Sequence, residues 1–366
     1  MSNPLTNVCI NCIYVYIQRM HSLYIRYKRN VIRHTLHVIC YMSYAICVYA
    51  PYVYAECVQD VHAECVQAAY SQYTKRTAVS GGDSMISLSG VNKRLGKFKL
   101  KDISVNIPDG YICALVGQNA SGKTTLIKTI LGLCRPDEGT VVIDGMSYQD
   151  AESEKRIRDI TGIVPVNELM NRELSLIENG RCYGRFYSRF DENIYMKYLE
   201  QFGLNAKTKF GRLSKGQKVK AQFAFALATD PKYLILDEPT ANFDPEFKKD
   251  FLNVIMKFTE DGTKSVVLAS HIMDELDRIA DYLIYLENGG LVYSGDIESF
   301  RDKYRIVSGE RYKVNLLKQD IIHAEDRKYG TKALVINHGY SQYDDSLTVT
   351  VPTLEEFMYH YSKRGE

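Results

Sequence analysis

The sequence lacks a large excess of charge of either sign. Its 46 lysine and arginine residues are nearly matched by 44 acidic residues, so the 366-residue chain has a formal net charge of +2 at pH 7. A surface that binds the phosphate backbone of nucleic acid needs a basic patch or stripe, and this composition provides no broad one. We therefore predict no nucleic-acid partner, and a bound phosphate group would have to be held by a local site.

Cysteine is scarce in most of the chain. Six of the nine cysteines come before residue 66, and the remaining three, Cys113, Cys134 and Cys182, lie in apolar segments. Isolated cysteines in apolar segments behave as small core residues. This usage is typical of a protein that works in a reducing compartment, so we predict a location in the cytosol.

The first 84 residues lack the apolar periodicity of a helix or a strand, although they contain a near-repeat, YAECVQDVHAECVQ. Three interpretations remain open for this atypical extension. The C-x-x-C pair in CINC, at 9–12, could bind a metal. The stretch 38–55 carries no formal charge and could span a membrane, although it contains Pro51. Alternatively, Met85 is the start of the natural protein and the preceding segment is translated upstream DNA, because residues 81–83 can be encoded by a bacterial ribosome-binding sequence.

The chain becomes regular from Met85 onward. The apolar stretches YICALV, YLILD and KSVVLAS indicate buried strands, and EFKKDFLNVIMKF between two of them indicates an amphipathic helix. Strands that alternate with helices predict an α/β fold with a largely parallel sheet. We expect this domain to occupy residues 85–300, with a mostly helical insertion at 168–230.

The last segment, residues 301–366, predicts a small α+β region. RYKVNLL, TKALVIN and SLTVTV alternate like strands. A helix should follow, because Thr353 and Glu356 have the spacing of a capping box. The apolar side chains of this helix share one face, which we expect to dock on the preceding domain; they are Leu354, Phe357, Met358 and Tyr361.

A phosphate-binding loop is predicted at GQNASGKTT, residues 117–125, between the strand YICALV and a helical pattern that ends before Pro136. The spacing G-x-x-x-x-G-K-[ST] allows consecutive backbone N–H groups to point at phosphate oxygens, and the helix that follows adds its dipole. Lys123 would reach the outer phosphates and the Thr124 hydroxyl would ligate Mg²⁺. The predicted nucleotide-binding residues are Gly117, Asn119, Ala120, Ser121, Gly122, Lys123, Thr124 and Thr125.

Two acidic residues end the strand YLILD. Asp237 should emerge at the carboxyl end of this strand, where ligands bind in open α/β sheets. We predict that Asp237 holds Mg²⁺ through water and that Glu238 orients and deprotonates an attacking water. The alternative is that the two acids only open a turn before the Pro-Thr pair.

The order of GQNASGKTT, LSKGQ, YLILDEPTANFD and SH resembles the ATP-binding subunit of ABC transporters over residues 85–300. Kinases and GTPases do not share LSKGQ followed by D-E-P-T. The resemblance implies an ABC-type P-loop NTPase fold, ATP hydrolysis, and ATP and Mg²⁺ as cofactors. It also implies an integral-membrane permease on another chain, with this subunit peripheral on the inner face of the membrane. Similar C-terminal tails occur in bacterial exporters of drugs, antibiotics or peptides; the alternative is a soluble ABC ATPase in a non-transport process.

The resemblance also implies a second ATPase subunit, either a copy of this chain or a related one, packed head to tail. Asp244 in ANFD would line that interface, and His271 would be the switch histidine that contacts the γ-phosphate. The signature segment, 213–217, would cover the γ-phosphate of the ATP held by the other subunit; its residues are Leu213, Ser214, Lys215, Gly216 and Gln217.

Three positions depart from the pattern of the family. Leu95 stands where an aromatic residue usually stacks on adenine, and Phe98 is close enough in sequence to replace it. Val166 stands where a glutamine usually reaches Mg²⁺ and signals to the permease, and Asn167 or Glu168 could serve instead. Lys215 replaces the commonest glycine of the signature.

Overall fold

The structure, a computed structural model, describes residues 84–270, 272–328, 330–338 and 343–364. The interpretations of the N-terminal extension and the role predicted for His271 lie outside the described residues.

The large sheet contains the strands predicted from the apolar stretches. Its strand order is β5-β4-β1-β2-β10-β9-β3-β8-β7-β6. The strands β9, β3, β8, β7 and β6 pair in parallel, whereas β1, β2, β4 and β5 form an antiparallel part. The strands are β1 Ser84–Leu95, β2 Phe98–Pro108, β3 Ile112–Val116, β4 Glu138–Ile143, β5 Met146–Ser147, β6 Thr161–Val164, β7 Tyr233–Asp237, β8 Ser265–Ala269, β9 Tyr282–Glu287 and β10 Gly290–Asp296.

Helices cover both faces of the parallel strands, which explains why these strands are apolar throughout. In β3, Ala114 belongs to the hydrophobic cluster on one face, whereas Cys113 and Leu115 belong to the cluster on the other. The α/β prediction is confirmed. The helices are α1 Lys123–Ile130, α2 Ala151–Asp159, α3 Leu176–Gly184, α4 Glu192–Gln201, α5 Lys215–Ala228, α6 Pro245–Phe258, α7 Met273–Ile279, α8 Ile297–Lys303, α9 Arg311–Val314 and α10 Leu354–Ser362. Among the described residues, no helix combines the length and the apolar character needed to cross a bilayer.

The C-terminal segment forms a second, antiparallel sheet in the order β12-β13-β11-β14. The prediction of a strand at RYKVNLL is wrong, because this segment forms α9 and a 3-10 turn at Asn315–Leu317. Val314 and Leu317 both pack in the small core beneath this sheet, and a spacing of three fits a helical turn better than a strand. The strands are β11 Tyr304–Gly309, β12 Ile321–Arg327, β13 Gly330–Ile336 and β14 Thr348–Thr350.

Helix α10 docks on the preceding domain, as its apolar face predicts. The capping box of Thr353 and Glu356 is present. Phe357 is 1% exposed, and its ring centroid lies 4.8 Å from that of Phe300 and 5.6 Å from that of Tyr285 in β9. The buried residue Leu354 and the half-buried residues Met358 and Tyr361 join the same hydrophobic cluster.

Candidate functional site

The loop 117–125 has a backbone that only small residues at fixed places allow. Gly117, Ala120 and Gly122 have φ angles of 157°, 64° and 112°. A Cβ atom on Gly117 would lie 2.4 Å from Ser121 Oγ and 2.4 Å from the carbonyl oxygen of Leu286. The N–H of Gly289 donates to the carbonyl of Ser121 at 3.0 Å, so the turn between β9 and β10 holds the loop in place. The loop therefore keeps this shape through its own packing.

Lys123 lies inside this loop and is 5% exposed. Its ammonium donates to the carbonyl oxygens of Gly117 at 2.8 Å and Gln118 at 3.2 Å, and it lies 4.0 Å from the Glu238 carboxylate. Burial lowers the pKa of Lys123, while Glu238 and Asp237 act in the opposite direction. Because carbonyl oxygens are neutral, the negative oxygens of a phosphate would be stronger partners for this buried cation.

Asp237 ends β7 at the same sheet edge as the loop and is 4% exposed. Burial raises the pKa of this carboxyl group, and a hydrogen bond with the Thr124 hydroxyl acts in the opposite direction. Within the described residues, Asp237 Oδ1 and Ser121 Oγ are buried without a hydrogen-bond partner. A buried carboxylate oxygen next to a hydroxyl is a suitable donor set for Mg²⁺, so Thr124 and Asp237 fit this ion.

Glu238 has a strained backbone, with φ 49° and ψ 46°. This left-handed conformation is uncommon for a residue with a side chain. The N–H of Glu238 donates to the carbonyl of Ala269 in β8 at 2.9 Å, which fixes the peptide. Its side chain remains 28% exposed, next to Lys123. The fixed backbone thus presents a carboxylate beside Lys123 and the loop 117–125.

The signature segment begins a different helix. Ser214 is the N-cap of α5: the N–H of Gln217 donates to Ser214 Oγ at 3.2 Å, and the N–H of Ser214 donates to Gln217 Oε1 at 3.0 Å. Leu213 is buried and anchors the segment, and Gly216 is half-buried. Ser214, Lys215 and Gln217 are exposed, so this N-terminus faces the surface of the subunit.

Asp244 acts as a helix cap in this chain. It accepts a hydrogen bond from the N–H of Phe247 at 2.8 Å at the start of α6, and a second from Lys220 Nζ of α5 at 3.2 Å. The Phe247 N–H and the Lys220 ammonium hold the pKa of this carboxyl group below its ordinary value. The family resemblance predicts that Asp244 lies at a subunit interface. Its contact with Lys220 within the same chain was not predicted.

The residues that depart from the family pattern, and their possible replacements, differ in how far they are exposed. Leu95 is 44% exposed, whereas Phe98 is half-buried against the phosphate loop. A Cβ atom on Gly122 would lie 2.7 Å from the Phe98 ring, so this ring supports the loop. Its stacking on adenine remains a prediction. Val166 is 60% exposed, and Glu168 forms an ion pair with a lysine of α5.

Sequence comparisons show which family the chain belongs to. The family model of ABC transporters matches residues 100–241. The glutamate transport ATP-binding protein of Corynebacterium efficiens is 33% identical over 224 residues, which are 59% of this chain and 92% of that protein. The chain belongs to the ABC transporter family. This ABC ATPase is an ATP-binding subunit that hydrolyses ATP and powers transport.

Two further similarities concern function and structure. The Nod factor export ATP-binding protein I of Rhizobium leguminosarum bv. viciae is 34% identical over 216 residues, which are 57% of this ABC ATPase and 68% of that protein. A dimeric ATP-binding cassette bound to ADP and Pi, in a post-hydrolysis state, is 27% identical with a TM-score of 0.54; the match covers 58% of this chain and 99% of that one.

Three polar side chains of α5 make contacts that the motifs of the ABC ATPase do not predict. Lys218 and Lys220 form ion pairs with Glu168 and Asp244, and Gln222 is 4% exposed. The sequence gives one indication of the buried side chain: Gln222 is a polar residue in the otherwise apolar stretch AQFAFALA. A buried glutamine requires hydrogen-bond partners, which a family pattern does not name.

Proposed function

We propose that this ABC ATPase binds two ATP molecules in a head-to-tail pair with a second ATPase subunit, a copy of itself or a related chain. In each site, the loop 117–125 of one subunit holds the phosphates, and Ser214 of the other covers the γ-phosphate. The exposed start of α5 carries this proposal, because Ser214, Lys215 and Gln217 lie at the surface and a helix N-terminus attracts phosphate groups. The similar cassette bound to ADP and Pi is dimeric, which supports a pair of ATPase subunits.

The site residues then have separate tasks. Lys123 and the backbone N–H groups of the loop bind and orient the phosphates, and Thr124 and Asp237 hold Mg²⁺. When bound there, Mg²⁺ would neutralise charge on the phosphate oxygens. Glu238 accepts a proton from the attacking water, since its carboxylate is partly exposed and its backbone is fixed. Asp244 lies at the subunit interface, and His271 contacts the γ-phosphate.

A separately encoded permease in the cell membrane is the proposed partner, with the ATPase on its cytoplasmic side. An exposed apolar pair, Val166 and Leu169, is available to contact it; these side chains are 60% and 53% exposed. Export of a drug, an antibiotic or a peptide is the proposed direction and substrate class. The similarity to a Nod factor export protein supports export.

Replacing Glu238 with glutamine tests the pair. Because Glu238→Gln removes the base but keeps its shape, we expect ATP hydrolysis to fall by about 10² to 10⁴. ATP binding should survive, and the variant should shift from monomer to dimer on a sizing column when ATP is added. Glu260→Gln, at an exposed position after α6, is the matched control and should behave like the parent protein.

The double variant Glu238→Gln with Ser214→Arg tests whether the shift on the sizing column comes from the proposed dimer. The larger side chain would occupy the place of the γ-phosphate, so the ATP-dependent dimer should disappear. Parent-like hydrolysis by Glu238→Gln, or a monomer at saturating ATP, would refute the head-to-tail site. The proposed permease is tested by purifying the ATPase after co-expression with the neighbouring genes; a membrane permease should then copurify with it.

A further inference from the structure

The turn between β9 and β10 lies against the loop 117–125 at two places. The N–H of Gly289 donates to the carbonyl of Ser121 at 3.0 Å. The carbonyl oxygen of Leu286, three residues earlier, would lie 2.4 Å from a Cβ atom on Gly117, so this carbonyl faces the start of the loop. A shift of the turn would therefore displace the peptide groups that are expected to bind phosphate.

The turn itself has a narrow choice of conformation. Glu287 pairs with Gly290, so Asn288 and Gly289 form a two-residue hairpin turn, with φ angles of 48° and 78°. Positive φ angles at both central residues define the tight turn that an Asn-Gly pair favours. A Cβ atom on Gly289 would lie 1.9 Å from the carbonyl oxygen of Lys99 in β2, which leaves no room for a side chain. Because the turn is short and closely packed, its position follows that of Glu287.

Glu287 is held by the C-terminal segment. Its carboxylate accepts hydrogen bonds from the guanidinium of Arg364, which follows α10, and from the Tyr285 hydroxyl at 3.3 Å. The Glu287 side chain is 12% exposed and that of Arg364 is 41% exposed. A carboxylate with so little access to water depends on its cationic partner, because removing one member of such a pair leaves a poorly solvated charge. The position of Glu287 is therefore linked to that of Arg364.

Arg364 is in turn fixed on α10. Its guanidinium carbon lies 4.0 Å from the centroid of the Tyr361 ring, and its Nη1 donates to the Tyr361 carbonyl at 2.7 Å. The Tyr361 ring stacks on Phe357 at a centroid distance of 5.0 Å and lies 5.8 Å from the ring of Tyr285 in β9. Contact with an aromatic face and a further hydrogen bond limit the positions that the guanidinium can take. The docking of α10 thus places a cation at the end of β9.

We propose that α10 positions the phosphate loop, with Arg364 and Glu287 as positioning residues for Ser121 and Gly117. When α10 is docked, the ion pair holds the end of β9, and the turn that follows holds the loop in the shape that receives phosphate. When the ion pair is lost, the turn gains freedom and ATP itself must order the loop, which lowers the affinity for ATP. The inference rests on the phosphate site proposed above and adds residues that lie outside its motifs.

An exchange of charge between Glu287 and Arg364 tests the proposal in the full-length ATPase. Arg364→Glu and Glu287→Arg should each raise the KM for ATP about 3- to 10-fold, the equivalent of losing part of one charge-assisted hydrogen bond. The kcat should change by less than about twofold, because a loop that binds substrate and transition state alike affects KM alone. A loss of folded protein would instead lower kcat at an unchanged KM.

The double exchange, Glu287→Arg with Arg364→Glu, should recover most of the affinity for ATP. Arg156→Glu, at an exposed position on α2, makes the same change of charge as Arg364→Glu and should keep the parent KM. An unchanged KM in Arg364→Glu, or a double exchange without recovery, would overturn the proposal.

Hydrogen exchange provides a second test, which leaves both residues of the ion pair in place. Because coupling between two sites is reciprocal, saturating ATP should slow exchange in residues 354–364 of the parent protein by the same factor of about 3 to 10. Lys123→Ala, which should bind ATP weakly, should show no such slowing. Exchange in residues 354–364 of the parent that ATP leaves unchanged would also overturn the proposal. Failure of the phosphate site itself is recognised separately, since Lys123→Ala would then bind ATP as tightly as the parent protein.

Discussion

Phe357 tests whether the C-terminal segment is part of the folding unit of the ATPase. This side chain is 1% exposed and contacts aromatic rings of three other elements, with centroid distances of 4.7 Å to Tyr304, 4.8 Å to Phe300 and 5.6 Å to Tyr285. Truncation to alanine removes a fully buried ring and leaves a cavity among rings that cannot collapse easily. Phe357→Ala should therefore lower the free energy of unfolding by about 3 to 5 kcal/mol.

Phe186 supplies the matched control, because it is 72% exposed. Phe186→Ala should change the free energy of unfolding by no more than about 0.5 kcal/mol. Urea unfolding followed by far-UV circular dichroism and by tyrosine fluorescence would compare the variants, since the chain contains 28 tyrosines and no tryptophan. Equal unfolding midpoints for Phe357→Ala and Phe186→Ala would refute the docking of α10 as a contribution to stability.

Two further substitutions test the phosphate loop and the C-terminal segment. Lys123→Ala should weaken ATP binding measured by calorimetry, while Lys128→Ala, at an exposed position in the last turn of α1, should not; equal affinities would contradict the assignment. Burial lowers the pKa of His360 to about 4, and neighbouring His323 acts in the same direction. The folded state then binds fewer protons than the unfolded state between about pH 4 and 6.5, so this contribution to stability is complete above pH 6.5 and is lost as the pH falls towards 4. His360→Gln should show a shallower fall in unfolding midpoint over this range, and an unchanged slope would contradict this assignment.

The backbone of the loop 117–125 and the place of Asp237 can be predicted from the sequence because short-range geometry determines them. Gly117 and Gly122 take backbone angles that their residue type allows, and the apolar strand before Asp237 directs its carboxylate to the sheet edge. The C-terminal segment is different. RYKVNLL alternates like a strand, but Val314 and Leu317 are drawn to one core at helical spacing, so tertiary packing overrides the local pattern. The buried hydrogen bond of Gln222 could not be predicted because its partner is a backbone group 53 residues away.

Helix α5 connects the motif residues to the elements around them. Ser214 and Gln217 close its N-terminus, Lys218 and Gln222 hold the loop after β6, and Lys220 holds the N-cap of α6 at 3.2 Å. Lys220 lies about 200° around the helix from Lys218, so the two lysines fix α5 from different sides. A rotation of α5 about its own axis would break at least one of these bonds. Displacement of the whole helix together with the loop and the start of α6 keeps them all. The contacts therefore fix the orientation of α5 about its own axis, and with it the direction in which the exposed, capped Ser214 faces.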